Sequence, residues 1–499
     1  MAHGSLRVEQ QFMRTMPWPF AERAFSPAGY RPSPLRGFIV PTYPPGLPLL
    51  MAAFQRVGGR GAVFYVVPLL GVLAVWMVGR LGAYVHGPST GAIAAVLLAS
   101  SPSFLFQLVQ PMSDVAATAW WTTALALAVR GTSRGAIGAG LAASLAILTR
   151  PNLLPLAAVV GLFFLSGAIR ADAADADDRP AALRRLLLFV AGCVPGCLVI
   201  AAINNHLYGS PFASGYGSLR DLYSWANARP NLDRYPRWLI TTQTPFICLA
   251  FLAPWLLRRR QPSNANQVVR ADHVWLLLAF AGVVFLAYLF YLPFDREQWS
   301  YVRFLLPGYP PMIVLSVAVA LEGVRRVADR PPARLWIAIA LCGTLALWQA
   351  REASRRGAFR IELVERRYVD VGRYIDAAML PEAIFITGLH AGSIRYYSGR
   401  LTLRYDLLPR HWLDEAVAAL RAKGYHPYIV LEEGEEANFR QRFGALSELA
   451  RLDWPPAARR SEPIVVHIYD PADRARFLAG EGILTGDIGL VRKPLLTFK

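Results

Sequence analysis

Lysine is almost missing from this chain. Of 52 basic residues only Lys423, Lys493 and Lys499 are lysines, and the rest are arginines. Charge of any kind is scarce: 17% of the 499 residues are charged, 54% are hydrophobic, and the mean hydropathy is +0.32. Soluble globular chains carry about 25% charged residues, so this composition excludes an ordinary water-soluble protein and points to a membrane. The net charge is +18. Its arginines sit mainly at the ends of apolar segments and form no basic stripe or recognition motif, which excludes nucleic acid as a partner. Cysteine is equally sparse. Cys193, Cys197, Cys248 and Cys342 all lie in apolar runs, and "CVPGC" has no third or fourth ligand nearby, so a zinc site is excluded and buried thiols remain. Internal repeats are absent too, and the one low-complexity tract is "ADAADADD" at 171–178.

What the chain does have is apolar length. Ten segments have the composition of spanning helices: 61–80, 90–108, 114–130, 134–149, 152–169, 185–204, 239–257, 273–293, 303–323 and 333–350. "GAIGAGLAAS", with Gly135, Gly138 and Gly140, supplies the small-residue surface that lets helices approach closely in lipid. One set of connections holds Arg80, Arg130, Arg134, Arg170, Arg179, Arg184, Arg185, the 258–260 run, Arg270, Arg325, Arg326, Arg330 and Arg334. The alternate set is poorer in arginine, so the first set is expected in the cytoplasm and the second outside. Residues 1–60, the Asp114 turn, the 206–238 loop and everything after 350 then face outward. An outward N-terminus with no signal sequence leads us to expect a further inside-to-outside helix upstream of Met1.

The expected organisation is threefold: an N-terminal extracytoplasmic segment over 1–60 with an interfacial helix at "PTYPPGLPLLMAAF", a membrane bundle over 61–350, and an extracytoplasmic α/β domain over 351–499. In the last, "EAIFITG", "LTLRYDL", "PYIVLEE" and "PIVVHIY" read as strands and "HWLDEAVAALRAKG" as an amphipathic helix, which predicts a largely parallel sheet.

Candidate site residues gather on the outward side. Between Leu81 and Val129 the one certainly charged side chain is Asp114. It caps a helix, or it is a functional carboxylate at the membrane boundary, acting as base or metal ligand. Arg150 in "LTRPN" snorkels to headgroups or grips a phosphate. Asn205, His206 and Tyr208 in "NNHLYGSPFASGYGS" suit a hydroxyl-rich ligand, or mark a helix exit. "DREQWSYVRFLLPGYPP" brings Asp295, Glu297, Trp299, Tyr301 and Arg303 to one helix mouth, where the aromatics also suit an interfacial belt. "GLHAGSIRYYSGR" is a strand-to-helix turn that holds an anion or is simply tight.

The order "YPPGLPLL", "SPSFLFQLVQPMSD", "LAILTRPN", "NNHLYGSPFASGYG", "WSYVRFLLPGYPP" resembles bacterial GT-C type glycosyltransferases. It is most similar to the membrane proteins that resemble protein O-mannosyltransferases and lipid A aminoarabinose transferases. The resemblance covers about residues 38–325. It implies a multi-pass protein of the bacterial inner membrane that moves one sugar from a polyprenyl-phosphate carrier to an acceptor hydroxyl on a glycan, lipid or protein at the outer face. It implies inversion at the anomeric carbon and, in several members, a divalent metal such as Mg or Mn. On this resemblance Asp114 is the catalytic carboxylate or metal ligand. Arg150 and Arg303 bind the carrier phosphate, and Asn205, His206, Tyr208 and Tyr301 contact sugar or acceptor. The family's first acidic motif, following its first helix, has no counterpart here: Glu9 and Glu22 are the only early carboxylates, and neither stands in that context. A lipid-linked glycan flippase, an O-antigen-type polymerase or ligase, and a GT-C scaffold without activity are the rival readings. The rim clustering of ionisable residues and the lack of repeat symmetry weigh against a transporter.

Overall fold

The computed structural model describes residues 5–174, 179–257, 270–293 and 298–490. Three short strands open it, β1 (Val8–Glu9), β2 (Tyr30–Pro32) and β3 (Phe38–Pro41), in an antiparallel sheet of order β1-β3-β2, with α1 (Ala21–Ala24) between β1 and β2. The chain then enters α2 (Gly46–Ala62) and, past a non-helical Gly59 (φ 73°, ψ −174°), α3 (Val66–Val85). The bundle continues through α4 (Pro88–Ala99), α5 (Pro102–Leu108), α6 (Ser113–Val129), α7 (Ser133–Thr149), α8 (Pro155–Ala174) and α9 (Arg179–Tyr208). After α10 (Leu219–Leu222) come α11 (Ala228–Gln243), α12 (Ala253–Leu256), α13 (Ala271–Leu289), α14 (Tyr309–Val327) and α15 (Pro331–Arg355).

Each of the ten expected apolar segments carries a helix, but fewer stand as full spans. Among the described residues six helices are long and apolar enough to cross a membrane, or up to eight if the two bent pairs each count as one. Those pairs bend by 61° between α4 and α5 and by 105° near Thr244. Helices α6 and α7 have 17 residues each, roughly 26 Å at 1.5 Å per residue and a little short of the roughly 30 Å hydrocarbon core. Their place is interior: nearly every residue of α6 is buried.

Close helix approach comes from the glycines. A Cβ on Gly140 of α7 would sit 2.2 Å from the Phe189 carbonyl and 2.8 Å from Gly192 Cα of α9. Ser144 adds a polar tie across the same seam. Its Oγ donates to the Gly192 and Cys193 carbonyls (2.8 and 3.0 Å) and accepts from Gly196 N–H (2.8 Å). Gly135 and Gly138 face Leu127 of α6 instead.

After α15 the chain builds α16 (Ile361–Ala378), β4 (Ala383–Thr387), α17 (Ala391–Ser398), β5 (Leu401–Arg404), α18 (Leu413–Ala422), β6 (His426–Glu432), α19 (Glu433–Phe443), β7 (Ala458–Arg460), β8 (Val466–Tyr469), α20 (Asp473–Leu478) and β9 (Gly486–Asp487). All four expected strands form. The sheet, of order β5-β4-β6-β8-β7-β9, is mixed, with three of its five pairings parallel, β7 to β9 among them. β4 pairs in parallel with β5 and β6, whereas β8 is antiparallel to both β6 and β7. Residues 461–465 explain this, because so short a link between β7 and β8 permits a hairpin and no crossover.

The N-terminal segment packs into the C-terminal domain. Met13, Met16, Trp18, Ala24, Phe25 and Ile39 share one apolar core with Ile384, Leu403, Leu420 and Phe439. Arg395 of α17 locks the joint, donating to the Phe25 carbonyl (2.6 Å) and to Thr402.

The α7–α9 seam gives a sharp test. Gly140→Ala should lower the melting temperature of the detergent-solubilised protein, at a cost of about 1–3 kcal/mol for the overpacked contact. Gly167→Ala in α8, where a Cβ meets open space, should be neutral or stabilising by about 0.5–1 kcal/mol. Equal effects would contradict a backbone-to-backbone contact at Gly140.

Candidate active site

Asp114 is the second residue of α6, and its carboxylate is withdrawn from solvent (1% exposed). The preceding N-cap residue, Met112, is extended, and no side chain caps this helix end. Capping is therefore not what Asp114 does, although the helix dipole favours a negative charge there. Its partner is Arg150, whose Nη2 donates to Asp114 Oδ1 at 2.6 Å.

Arg150 owes its position to Pro151. Proline disfavours helical geometry in the residue before it, and Arg150 leaves α7 at φ −144°, ψ 85°. Only 8% exposed, it does not snorkel. Its Nε donates to Ser113 Oγ (3.0 Å) and its Nη1 to Tyr288 Oη (3.1 Å). Tyr288 also accepts from Asn152 Nδ2 at 3.0 Å, so one phenol at the end of α13 ties both residues that flank Pro151. Gly46, opening α2, lies against the same helix end: a Cβ there would meet the Leu148–Thr149 backbone at 2.6 Å.

Arg303 completes the cluster from the 3₁₀ helix Trp299–Gly308. Its Nε is 4.0 Å from Asp114 Oδ1, and its Nη1 contacts the Met112 sulfur. Phe304 floors both guanidiniums, with Arg150 Cζ 5.4 Å and Arg303 Cζ 5.2 Å from its ring centre. Tyr288 stacks on the same ring at 5.0 Å, and Tyr301 lies 5.2 Å from Arg303 Cζ. An aromatic face attracts each cation and eases their approach to one another.

Two buried groups here lack a hydrogen-bond partner: Asp114 Oδ2 and Arg303 Nε. Leaving a buried charged atom unpaired is costly, and both belong to residues of this one cluster. The site can thus accept a proton at one oxygen and donate N–H groups to an anion beside it. A divalent metal does not fit. Asp114 is already matched to two guanidiniums, and among the described residues no three His, Cys, Asp or Glu side chains come together. The expected metal role of Asp114 therefore has no supporting ligand set among the described residues.

Sequence reasoning singled out Asp114, Arg150, Arg303 and Tyr301, and the fold brings these four together. Asn205 and His206 are exposed, and Tyr208 turns elsewhere. Tyr208 Oη donates to the Pro41 carbonyl at 2.7 Å, and the His206 carbonyl accepts from Arg7. These contacts of Tyr208 and His206 run to the N-terminal segment, whereas the Asn205 carbonyl accepts from Gly209 N–H. Asp295 and Glu297 lie outside the described residues. Trp299 is covered by Arg356, whose Cζ is 4.8 Å above its ring. Tyr288, Ser113, Asn152 and Phe304 were missed. Asn152 alone had a local signal, following Arg150 and Pro151.

The turn after β4 is no open anion site. The Glu435 carboxylate fills it, accepting from Leu389 N–H and Glu432 N–H (both 3.1 Å) and from Tyr405 Oη (3.3 Å). Beside it His390, fully buried, has Nε2 3.3 Å from Glu432 Oε1, and Arg367 Nε donates to the same oxygen at 2.6 Å.

No protein-family model matches the sequence, and no curated protein does. Solved structures do. The chain is similar to ArnT from Cupriavidus metallidurans bound to undecaprenyl phosphate, with TM-score 0.51 and 13% identity over 86% of this chain and 88% of that one. It is also similar to the archaeal oligosaccharyltransferase AglB from Archaeoglobus fulgidus in complex with an inhibitory peptide and a dolichol-phosphate. There the TM-score is 0.50 at 12% identity, over 88% of this chain and 66% of that one. The likeness is one of fold over most of the chain, which is itself a polytopic helical bundle carrying a C-terminal α/β domain.

Arg150→Gln should destabilise the protein by about 3–5 kcal/mol, because Asp114 is left buried without its partner. Adding Asp114→Asn should recover most of that loss, a pattern that thermal melting of the two variants resolves. Burial holds His390 below its usual value near 6.5. The unfolded chain therefore takes up a proton first, and the α/β domain should lose stability as pH falls below about 6.5. Glu432, held low by His390 and Arg367 against its burial, and Glu435, raised by burial, titrate lower down and with opposite signs. Hydrogen exchange of β4 and β6, corrected for intrinsic rate, should show the loss between pH 7 and 5.5, and His390→Gln should flatten it.

Proposed function

We propose that this chain, with its GT-C fold, is a glycosyltransferase. In this reading it moves a sugar from a polyprenyl-phosphate carrier to an acceptor hydroxyl at the extracytoplasmic face of a bacterial inner membrane. One observation carries the proposal: Asp114 keeps an unpartnered oxygen in a buried cluster with two guanidiniums, at the mouths of apolar helices. The fold neighbours add support, since one was solved with undecaprenyl phosphate and another with a dolichol-phosphate.

The chemistry needs little beyond this cluster. The acceptor oxygen attacks the anomeric carbon while the bond from that carbon to the carrier phosphate breaks. The acceptor's proton passes to Asp114 Oδ2, and the polyprenyl phosphate departs with the bonding electrons. Arg303 Nε–H, together with the two Arg150 N–H groups not directed at Ser113, Tyr288 or Asp114, stabilises the charge that grows on the phosphate. The Arg150 ion pair fixes the Asp114 carboxylate through Oδ1 and leaves Oδ2 without a partner. Phe304 and Tyr288 exclude water around the guanidiniums and strengthen their pull on an anion. The arginine-rich loops support the orientation. Arg185 reaches the Gly131 carbonyl (2.8 Å) and Arg170 lies 3.7 Å from Asp272, so these loops share the face remote from the Asp114 turn.

The test is transfer in proteoliposomes from a radiolabelled undecaprenyl-phosphate sugar to an acceptor extract of the outer envelope. Asp114→Asn keeps the shape but not the base, and should lower turnover by about 10²–10⁴-fold. Turnover unchanged in that variant would remove Asp114 from the chemistry. Carrier crossing the vesicle without any transfer would replace the enzyme reading with a flippase.

A further inference from the structure

A cavity of about 580 Å³ opens between the N-terminal segment and the loop after α9. Phe20, Glu22, Arg23 and Arg31 line one side; Tyr216 and Asp221 line the other, with backbone of Gly215 and Gly217 between them. None of these residues belongs to the Asp114 cluster, yet the two are joined. Gly215 rests on Thr42, where a Cβ would come 2.1 Å from its carbonyl oxygen, and Tyr216 meets Tyr43 edge-on at 6.0 Å. Thr42 and Tyr43 lead directly into Gly46, which presses on the end of α7 beside Arg150. Electrostatics agrees: desolvation raises the Tyr216 phenol above its ordinary value, while the charge of Arg150 pulls against that shift.

The wall is held in shape. Arg31 Nη1 donates to the Ser214 and Gly215 carbonyls (3.1 and 3.3 Å), and its Cζ lies 5.9 Å from the Tyr208 ring centre. Behind Phe20 and Glu22, Trp18 and Phe25 stack at 5.8 Å inside the core shared with the C-terminal domain. That domain therefore backs one wall of the cavity without lining it.

Its lining is mixed in sign, with two carboxylates and two guanidiniums, and it offers aromatic faces in Phe20 (75% exposed) and Tyr216 (44% exposed). A purely apolar lipid tail would strand four charges, and a polyanion would meet two carboxylates. A sugar ring suits it. Charged forks bind vicinal hydroxyls as donor and acceptor at once, and the apolar ring face lies on an aromatic. The carrier's prenyl chain belongs with the lipid-facing helices, so the ring that fits here arrives from the water side.

We propose that this cavity is the seat of a carbohydrate acceptor, held by Glu22 and Asp221 against the Phe20 and Tyr216 faces, with its hydroxyl delivered past Tyr43 toward Asp114. The delivery step rests on the glycosyltransferase reading; the binding does not.

The experiment is therefore one of binding, on the full chain in detergent. Methyl hexosides and methyl pentosides, with and without an amino group, are titrated and followed by saturation-transfer NMR. Wild type and Asp114→Asn should give the same signal for at least one glycoside. The double variant Glu22→Gln/Asp221→Asn should lose that signal at least fivefold with its melting temperature unchanged. A signal absent from wild type, or surviving in the double variant, overturns the proposal. Should the double variant melt early, Phe20→Ala, at an exposed rim position, replaces it and should give the same loss. If binding follows this pattern while wild type transfers no sugar, the seat stands and the glycosyltransferase reading fails. Where transfer is seen, the double variant should raise the acceptor KM at least tenfold and leave acceptor-independent hydrolysis of the donor unchanged. Equal loss of both would assign the cavity to the donor sugar instead and overturn the acceptor assignment.

Discussion

A carboxylate and a guanidinium 2.6 Å apart, both nearly withdrawn from solvent, organise this molecule. Burying either charge alone costs several kcal/mol, and the pair is tolerable only with good geometry and further hydrogen bonds. Several features of the fold meet that demand. Pro151 ends α7 so that Arg150 is free to turn, and Ser113 and Tyr288 take up its remaining directions. Gly46 lets α2 close against the same helix end. A structure built around one ion pair would normally satisfy both carboxylate oxygens. Here one is left open, and a second guanidinium stands beside it with an N–H unused. The proposed transfer uses that incompleteness, with the open oxygen taking the proton and the spare N–H facing the phosphate.

Around this centre the segments expected on one face do assemble there. The N-terminal strands, the loop after α9 and the α/β domain touch through Tyr208 to Pro41, Arg31 to Ser214, and Arg395 to Phe25. The α/β domain is thus tied to the membrane bundle by way of the N-terminal segment. Its own strand-end crevice is filled by Glu435. The domain lines none of the cavity and supports it through the core shared with the N-terminal segment.

Much of this was legible in the chain because charge is so rare in it. A lone Asp114 in nearly fifty apolar residues, an arginine before proline at a helix end, and Arg303 entering a span each stood out against a uniform background. Tyr288 did not, since a tyrosine in an apolar helix is commonplace, and its contact with Arg150 spans 138 positions that no local pattern encodes. Phe304 was hidden for the same reason. Asn205 and His206 stood out by composition, as polar residues near a Gly-rich loop that suit a sugar; the fold leaves both exposed, with the His206 carbonyl accepting from Arg7. The parallel expectation for the sheet met three pairings of five, and missed the two at β8 because strand runs reveal the number of strands and not which link is too short to cross over. The count of spans fell because a 17-residue helix and a bent pair look alike in hydropathy, and only packing separates them.

The central claim is that the Asp114–Arg150–Arg303 cluster receives the phosphate of a polyprenyl carrier. Native mass spectrometry of the detergent-released protein with undecaprenyl phosphate tests it directly, with Arg303→Gln as the comparison because Arg303 keeps a free N–H while Arg150 is bound into the fold. On this account the wild type retains one lipid per chain, and Arg303→Gln retains at least tenfold less at the same lipid concentration. Equal retention by both proteins would contradict it.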